Sequence, residues 1–294
     1  QIEAAAGEFG DAFIETEIGS YNYLGFPTEV APFDNPDIRK ALSMAVDREA
    51  INQAIFAGTR APPTGFAPSL APGATECANT TYDPEMAKEL FDAAGGIDGP
   101  VEVFFNSGGG HEEWLQAVAN QWQQNLGIGD VTFTGQEFAP YLDVLQSDEG
   151  VTGPYRLGWL WDAPTAENFL SPLFLSSSSD NYSRYVNEDF DAAIVEFKGA
   201  ADEESGFPAL ATAQEILCED MPVAAHGPQD EDVVAVPIDL ESEAQRFDGA
   251  FLAKKTRGCR LVGRAGLGRK WRTGPAEAFH RNGKSADLVR GNSH

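Results

Sequence analysis

An α/β fold is what this sequence predicts, on three observations. Val101-Glu102-Val103-Phe104-Phe105 has the composition of a strand. Ser107-Gly108-Gly109-Gly110 reads as a loop, and Leu115, Val118, Ala119, Trp122 and Leu126 then recur as a helical stripe. Gly127 ends that helix and Val131-Thr132-Phe133 begins another strand. Strand, helix, strand with short connections is a βαβ unit. The second observation lies upstream, where Asp34 and Asn35 supply helix caps and Pro36 suits a first turn that needs no N–H. Ile38, Ala41, Leu42 and Ala45 follow at i, i+3, i+4 and i+7 as one buried stripe. The third is bulk composition. A chain of 294 residues, 42% of them hydrophobic, can bury a core. Its apolar runs fall short of the ~20 residues that a membrane-crossing helix requires, so a soluble protein is expected.

Taken in order, residues 1–33 read as extended, with Tyr21, Tyr23 and Leu24 entering the core and Gly25-Phe26-Pro27 closing the strand. Helices are expected over 36–57, the second capped by Asp47 and carrying Ile51 and Ile55. A Pro- and Gly-rich loop over 58–80 follows. Asp83-Pro84 opens a helix with the stripe Ala87, Leu90, Phe91 and Ala94, which Gly95-Gly96 stop. After the βαβ unit come a helix over 138–147 and a strand over 155–160. Two further helices carry Phe190, Ile194 and Phe197, then Leu210, Ile216 and Leu217. Met221-Pro222-Val223 starts a strand, and Ser176–Ser179 reads as a loop.

The charge is uneven. Residues 1–249 hold 44 Asp and Glu against 9 Lys and Arg, a net of −35, whereas residues 250–294 hold 2 against 11, a net of +9. So acidic a body repels nucleic acid and keeps a chain dispersed in salty or crowded solvent. Cys77, Cys218 and Cys259 fit no zinc spacing. Cys77 and Cys218 can pair in an oxidising compartment, although the sequence does not prove it. No cofactor motif is present: Ser107–Gly110 lacks the Gly-Lys-Ser/Thr of a phosphate loop. His111, His226, His280 and His294 contain no i, i+4 pair, and no Gly-x-Ser-x-Gly occurs.

Several segments also share a pattern. Pro32-Phe33-Asp34-Asn35-Pro36-Asp37-Ile38-Arg39-Lys40-Ala41-Leu42 continues into Ala45-Val46-Asp47-Arg48. Further on stand Tyr82-Asp83-Pro84, Trp122 to Ile128, Gly158-Trp159-Leu160-Trp161-Asp162 with Glu167-Asn168-Phe169-Leu170, Asn187-Glu188-Asp189-Phe190-Asp191, and Ala213 to Pro222. In this order they resemble the family 5 solute-binding proteins of ABC transporters, the oligopeptide- and dipeptide-binding group, over about residues 15–228. The resemblance implies a periplasmic-binding-protein-like fold of the peptide-binding type. Family members are longer and clasp ligand between two lobes, so residues 1–33 are expected to be a hinge or strand segment of the first lobe. Residues 34–228 would be the second lobe, and 229–294 an atypical basic tail, disordered or translated in a shifted frame.

The resemblance further implies an extracytoplasmic monomer, periplasmic or at the cell surface, with or without a lipid anchor in the full-length protein. It would capture a peptide or related solute and pass it to permease subunits, with no catalysis, cofactor or nucleic acid. By family position Asp162 would receive the ligand's α-amino group, through short charge-assisted hydrogen bonds to an ammonium. The residue types alone also allow Asp162 to be a turn cap before Ala163-Pro164. Trp159 and Trp161 would wall the cleft or pack in the core, Trp159 being the better cleft candidate. Arg156 would fork a ligand carboxylate or form a surface ion pair. Two other readings stand beside this one. One is a hydrolase with an acidic or Ser/His site, against which the lack of any nucleophile or metal signature argues. The other is a remnant without function.

Overall fold

The computed structural model describes residues 19–58, 62–147 and 149–227, together with the backbone of two short strands at 246–247 and 250–251. The expectations for residues 1–18 and for most of the basic tail lie outside the described residues. Two compact units divide the chain. One spans Glu15–Val234; the other comprises Gln1–Ile14 and Ala235–His294, where β6 (Arg246–Phe247) pairs antiparallel with β7 (Ala250–Phe251).

The first unit is a five-stranded mixed sheet flanked by helices. Its strands are β1 (Ser20–Gly25), β2 (Val101–Asn106), β3 (Val131–Gln136), β4 (Tyr155–Leu160) and β5 (Val223–Gly227), in the order β3-β2-β4-β1-β5. β2 runs parallel to β3 and β4, as βαβ connections require, whereas β1 is antiparallel to both β4 and β5. β1 therefore sits inside this sheet, and every one of its side chains is buried.

The helices are α1 (Pro36–Met44), α2 (Arg48–Phe56), α3 (Pro84–Ala93), α4 (Glu112–Leu126), α5 (Phe138–Gln146), α6 (Glu167–Phe174), α7 (Glu188–Gly199) and α8 (Glu203–Asp220). Their starts follow from the caps. Asn35 accepts from the Asp37 N–H, Asp47 from Ala50 and Asp83 from Met86. Ile38, Ala41, Leu42 and Ala45 are all buried, as the periodicity predicts. α6 is the element that periodicity does not reveal. Pro172 inside a two-turn helix removes the N–H that would bond the carbonyl four residues back, so the segment lacks an ordinary helical signature.

Two buried arginines join distant parts of the chain. Arg39 Nε donates to the carbonyls of Asp220 (2.8 Å) and Met221 (3.1 Å), and Nη1 donates to those of Phe33 (2.8 Å) and Asp34 (3.1 Å). Arg48 donates to the carbonyls of Ala225 (2.6 Å), Ser43 (3.1 Å) and Thr80 (2.8 Å). Burial lowers both guanidinium pKa values to about 10, so both remain charged at neutral pH. α4 is fixed against α1 in a related way: Trp122 Nε1 donates to the Leu42 carbonyl and Asn125 Nδ2 to that of Ala45, each at 2.8 Å. Cys77 and Cys218 are bonded, with Cα atoms 5.5 Å apart, tying the Pro-rich loop to α8.

Candidate functional site

Because β2, β3 and β4 are parallel, their carboxyl ends reach the same edge of the sheet, and the loops that follow gather there. Ligands of open α/β sheets bind in the crevice outside such ends. The sequence-predicted residues lie along β4 and its continuation. The ladder carries on past the strand, since the Trp161 N–H donates to the Gly19 carbonyl at 2.9 Å. Gly19 is needed at this point, because a Cβ there would fall inside the Trp161 ring. The two tryptophans thus keep the alternation of a strand and share a face.

Both tryptophans are half-buried. Trp159 stands opposite Tyr21, and its Nε1 is enclosed without a hydrogen-bond partner among the described residues; the Tyr21 hydroxyl is in the same condition. The Trp161 ring lies 6.3 Å from that of Phe169, which in turn lies 5.4 Å from Tyr21. Burial pushes the Tyr21 pKa upward, so its hydroxyl stays protonated and remains a donor.

Asp162 is exposed, just beyond the ladder. Its backbone N–H donates to Asn168 Oδ1 at 2.8 Å, and the turn is closed by the Thr165 N–H on the Ala163 carbonyl at 2.8 Å. The Asp162 carboxylate does not cap that turn and has no partner among the described residues. Arg156 is different in kind. It is 6% exposed, which removes the surface-ion-pair alternative. Nη1 donates to Asn106 Oδ1 at 2.8 Å, Nη2 donates to Asn22 Oδ1, and the Tyr141 hydroxyl donates to the Arg156 carbonyl at 2.6 Å. Two carboxamide oxygens, from β2 and β1, therefore set the direction of the guanidinium.

The structure also adds a residue that sequence reasoning passed over. His111, at the start of α4, is buried beside Gly109. A Cβ on Gly109 would meet both the His111 ring and Asn106 Nδ2, the latter at 3.0 Å. His111 Nδ1 accepts from Trp114 Nε1 at 3.4 Å. The glycine run thus lets His111 approach the Asn106–Arg156 pair. Its one signal in the sequence is its place between a glycine loop and a helix, where a buried imidazole is not the default.

No described helix is long and apolar enough to cross a membrane, and no group of His, Cys, Asp and Glu among the described residues is placed to hold a metal ion.

Comparison with known proteins agrees with the fold. The chain is 30% identical over 222 residues to the periplasmic oligopeptide-binding protein OppA of Haemophilus influenzae, and 32% identical over 212 residues to heme-binding protein A of the same organism. It is 28% identical over 224 residues to the periplasmic murein peptide-binding protein MppA of Escherichia coli. These alignments take in 72%, 68% and 73% of this chain but only 40%, 38% and 41% of the relatives, so the chain spans about 40% of their length. Among solved structures, the H. influenzae OppA complex with RPPGFSPFR superposes with a TM-score of 0.69 at 27% identity, covering 77% of this chain and 46% of that one. Unliganded MppA, at 24% identity and a TM-score of 0.69, shares the fold over 78% of this chain and 45% of its own. Residues 1–181 match the middle region of the bacterial extracellular solute-binding proteins, family 5, and the chain belongs to that family.

Proposed function

We propose that the chain is part of the substrate-binding component of an ABC importer, which captures a peptide or related small solute outside the cytoplasm and delivers it to permease subunits in the membrane. It would work as a monomer, without cofactor or nucleic acid. The family consists of solute-binding proteins, which favours binding over catalysis. Relatives named for oligopeptides, murein peptide and glutathione favour a peptidic ligand, and their periplasmic names favour an extracytoplasmic setting.

One observation carries the reading. A carboxylate without a partner among the described residues, Asp162, stands beside two half-buried indoles just past the carboxyl end of β4, which runs parallel to β2, with a buried and aimed guanidinium on β4 itself. The carboxylate would take the ligand's ammonium. Trp159 and Trp161 would cover ligand side chains without selecting among them, and Trp159 Nε1 and the Tyr21 hydroxyl would donate to ligand carbonyls. Arg156, near the start of β4 and on its other face, would take the ligand's carboxylate from that side. Closure of lobes over the ligand strengthens each of these contacts by excluding water.

NMR titration of the chain with millimolar tri- to pentapeptides detects even weak binding. The expected result is a shift of the Trp159 and Trp161 indole signals by peptides with a free amino group. Those shifts should be reduced about tenfold or more in apparent affinity by N-acetylation or by Asp162→Asn, as expected for loss of a charge-assisted pair. Equal binding of free and acetylated peptides would remove Asp162 from the site.

A further inference from the structure

The last strand of the sheet ends in a histidine that the ligand argument does not use. β5 pairs with β1 as Gly25 with Val223, Leu24 with Ala224 and Tyr23 with Ala225; the register then shifts, and Asn22 faces Gly227. This bulge leaves His226 as the extra residue of β5. Its ring lies 5.3 Å from that of Trp114, inclined at 35°. With Asn22, Arg48, Ile51, Phe56 and Trp114 it lines a cavity of about 10 Å³. The ring is half-buried, but Nε2 is enclosed and has no hydrogen-bond partner among the described residues.

Among the described residues, the charges around it have one sign. α2 presents Arg48, which cannot swing away because backbone carbonyls of Ala225 and Thr80 hold it at 2.6 and 2.8 Å. α4 presents Trp114, whose Nε1 donates to His111. β1 presents Asn22, whose Oδ1 accepts from Arg156 of β4. Among the described residues, no carboxylate lines the cavity. A proton on His226 would therefore place a second positive charge beside a fixed one, without a counter-ion among those residues. Burial and then Arg48 draw the His226 pKa well below the ordinary 6.5.

We propose that His226 is a pH-sensitive latch on the end of β5. Neutral, it closes the small cavity against Trp114 and Asn22. Protonated, it leaves, unpairs the bulged end of β5 and loosens Asn22, the same residue that helps to aim Arg156. The consequence for a ligand rests on the reading of Arg156 given above; the latch itself does not. The sign follows from linkage. Above pH 6.5 open and closed forms are both neutral and the latch holds. Below it the open form takes up a proton that the closed form refuses, and each further pH unit favours opening by about tenfold until the closed-state pKa is reached.

Histidine and arginine side-chain NMR of the full chain, with amide exchange of β5, tests this between about pH 7.5 and 5, a window set around the ordinary histidine pKa. The His226 ring should remain neutral below the ordinary midpoint. Protection of β5 amides, corrected for the intrinsic pH dependence of exchange, should fall about tenfold per pH unit. In His226→Gln, which cannot be protonated, the corrected protection should not change with pH. A ring that titrates at the ordinary midpoint with protection unchanged overturns the latch, and so does an equal loss of protection in His226→Gln. Should that variant fail to fold, the wild-type titration decides alone. A steady Arg156 Nε signal while β5 opens overturns the link to Arg156 and leaves the ligand reading untouched.

Discussion

Arg39 and Arg48 show what a single residue does in this fold. Both belong to the short signature after Pro32, and both work as cross-links. Each carries a buried guanidinium into a fan of backbone carbonyls, three of them contributed by Asp220, Met221 and Ala225. Hydrogen bonds from a charged donor are worth more than neutral ones, and carbonyls left dry without a donor carry a further penalty. Arg39→Ala should therefore destabilise the chain by about 3 kcal/mol. Arg39→Lys should recover little, since an ammonium cannot span acceptors on two segments as a planar fork does. Urea unfolding measures both, and a loss below about 0.5 kcal/mol for Arg39→Ala would show that water replaces the fan. The sequence marked these arginines by spacing alone. It could not show that they are buried, because their acceptors are main-chain atoms, some of them roughly 180 residues away, and main-chain acceptors leave no trace in composition. Arg156 was hidden for the same kind of reason: its partners, Asn22 and Asn106, stand on two other strands.

At the scale of elements, strands and helices were legible where local signals agreed. The β4 strand, the stripe of α4 and the capped start of α1 each combine periodicity with a start or stop residue, and they fold as those signals direct. α6 was not legible, because its proline contradicts its conformation and only packing of Phe169, Leu170 and Phe174 into the core overrides it. The loop over 62–80 contains little regular structure beyond a single helical turn at Ala78–Thr80, so its position depends on what it is tied to. Thr75 N–H donates to Gln214 Oε1 at 3.0 Å, Gln214 Nε2 donates to the Gly73 carbonyl at 2.7 Å, and the Cys77–Cys218 bond closes the same junction. Because 141 residues separate the two cysteines, the link removes much freedom from the unfolded chain. Reduction should lower stability by about 2–4 kcal/mol. Paired urea titrations with and without reductant, with Cys77→Ser as the control, provide the measurement. An unchanged midpoint would mean that the glutamine contacts alone hold the loop.

For the molecule as a whole, the decisive quantity is its charge. The acidic excess of residues 1–249 is net −35, and the few cations do little to offset it at the surface, because Arg39, Arg48 and Arg156 among them are buried. Among the described residues, ion pairs join Lys88 with Asp92, Lys198 with Glu167, Lys40 with Asp37 and Glu219, and Arg184 with Glu29, each with at least one exposed partner. Pairs of this kind contribute little individually. Among the described residues, carboxylates therefore far outnumber cations at the surface, and folding concentrates their repulsion. Added salt shortens the reach of that repulsion, from about 30 Å at 0.01 M to about 3 Å at 1 M. The melting temperature should consequently rise steeply with sodium chloride up to about 1 M, several-fold more than with an uncharged osmolyte at matched water activity. Most proteins of balanced charge lose the benefit of their surface ion pairs over the same range, so the two behaviours have opposite signs. A melting temperature that is flat or falls with sodium chloride would mean that the acidic surface is already relieved, by bound cations or by raised carboxylate pKa values. Direct titration of the carboxylates at low salt would then separate those two causes.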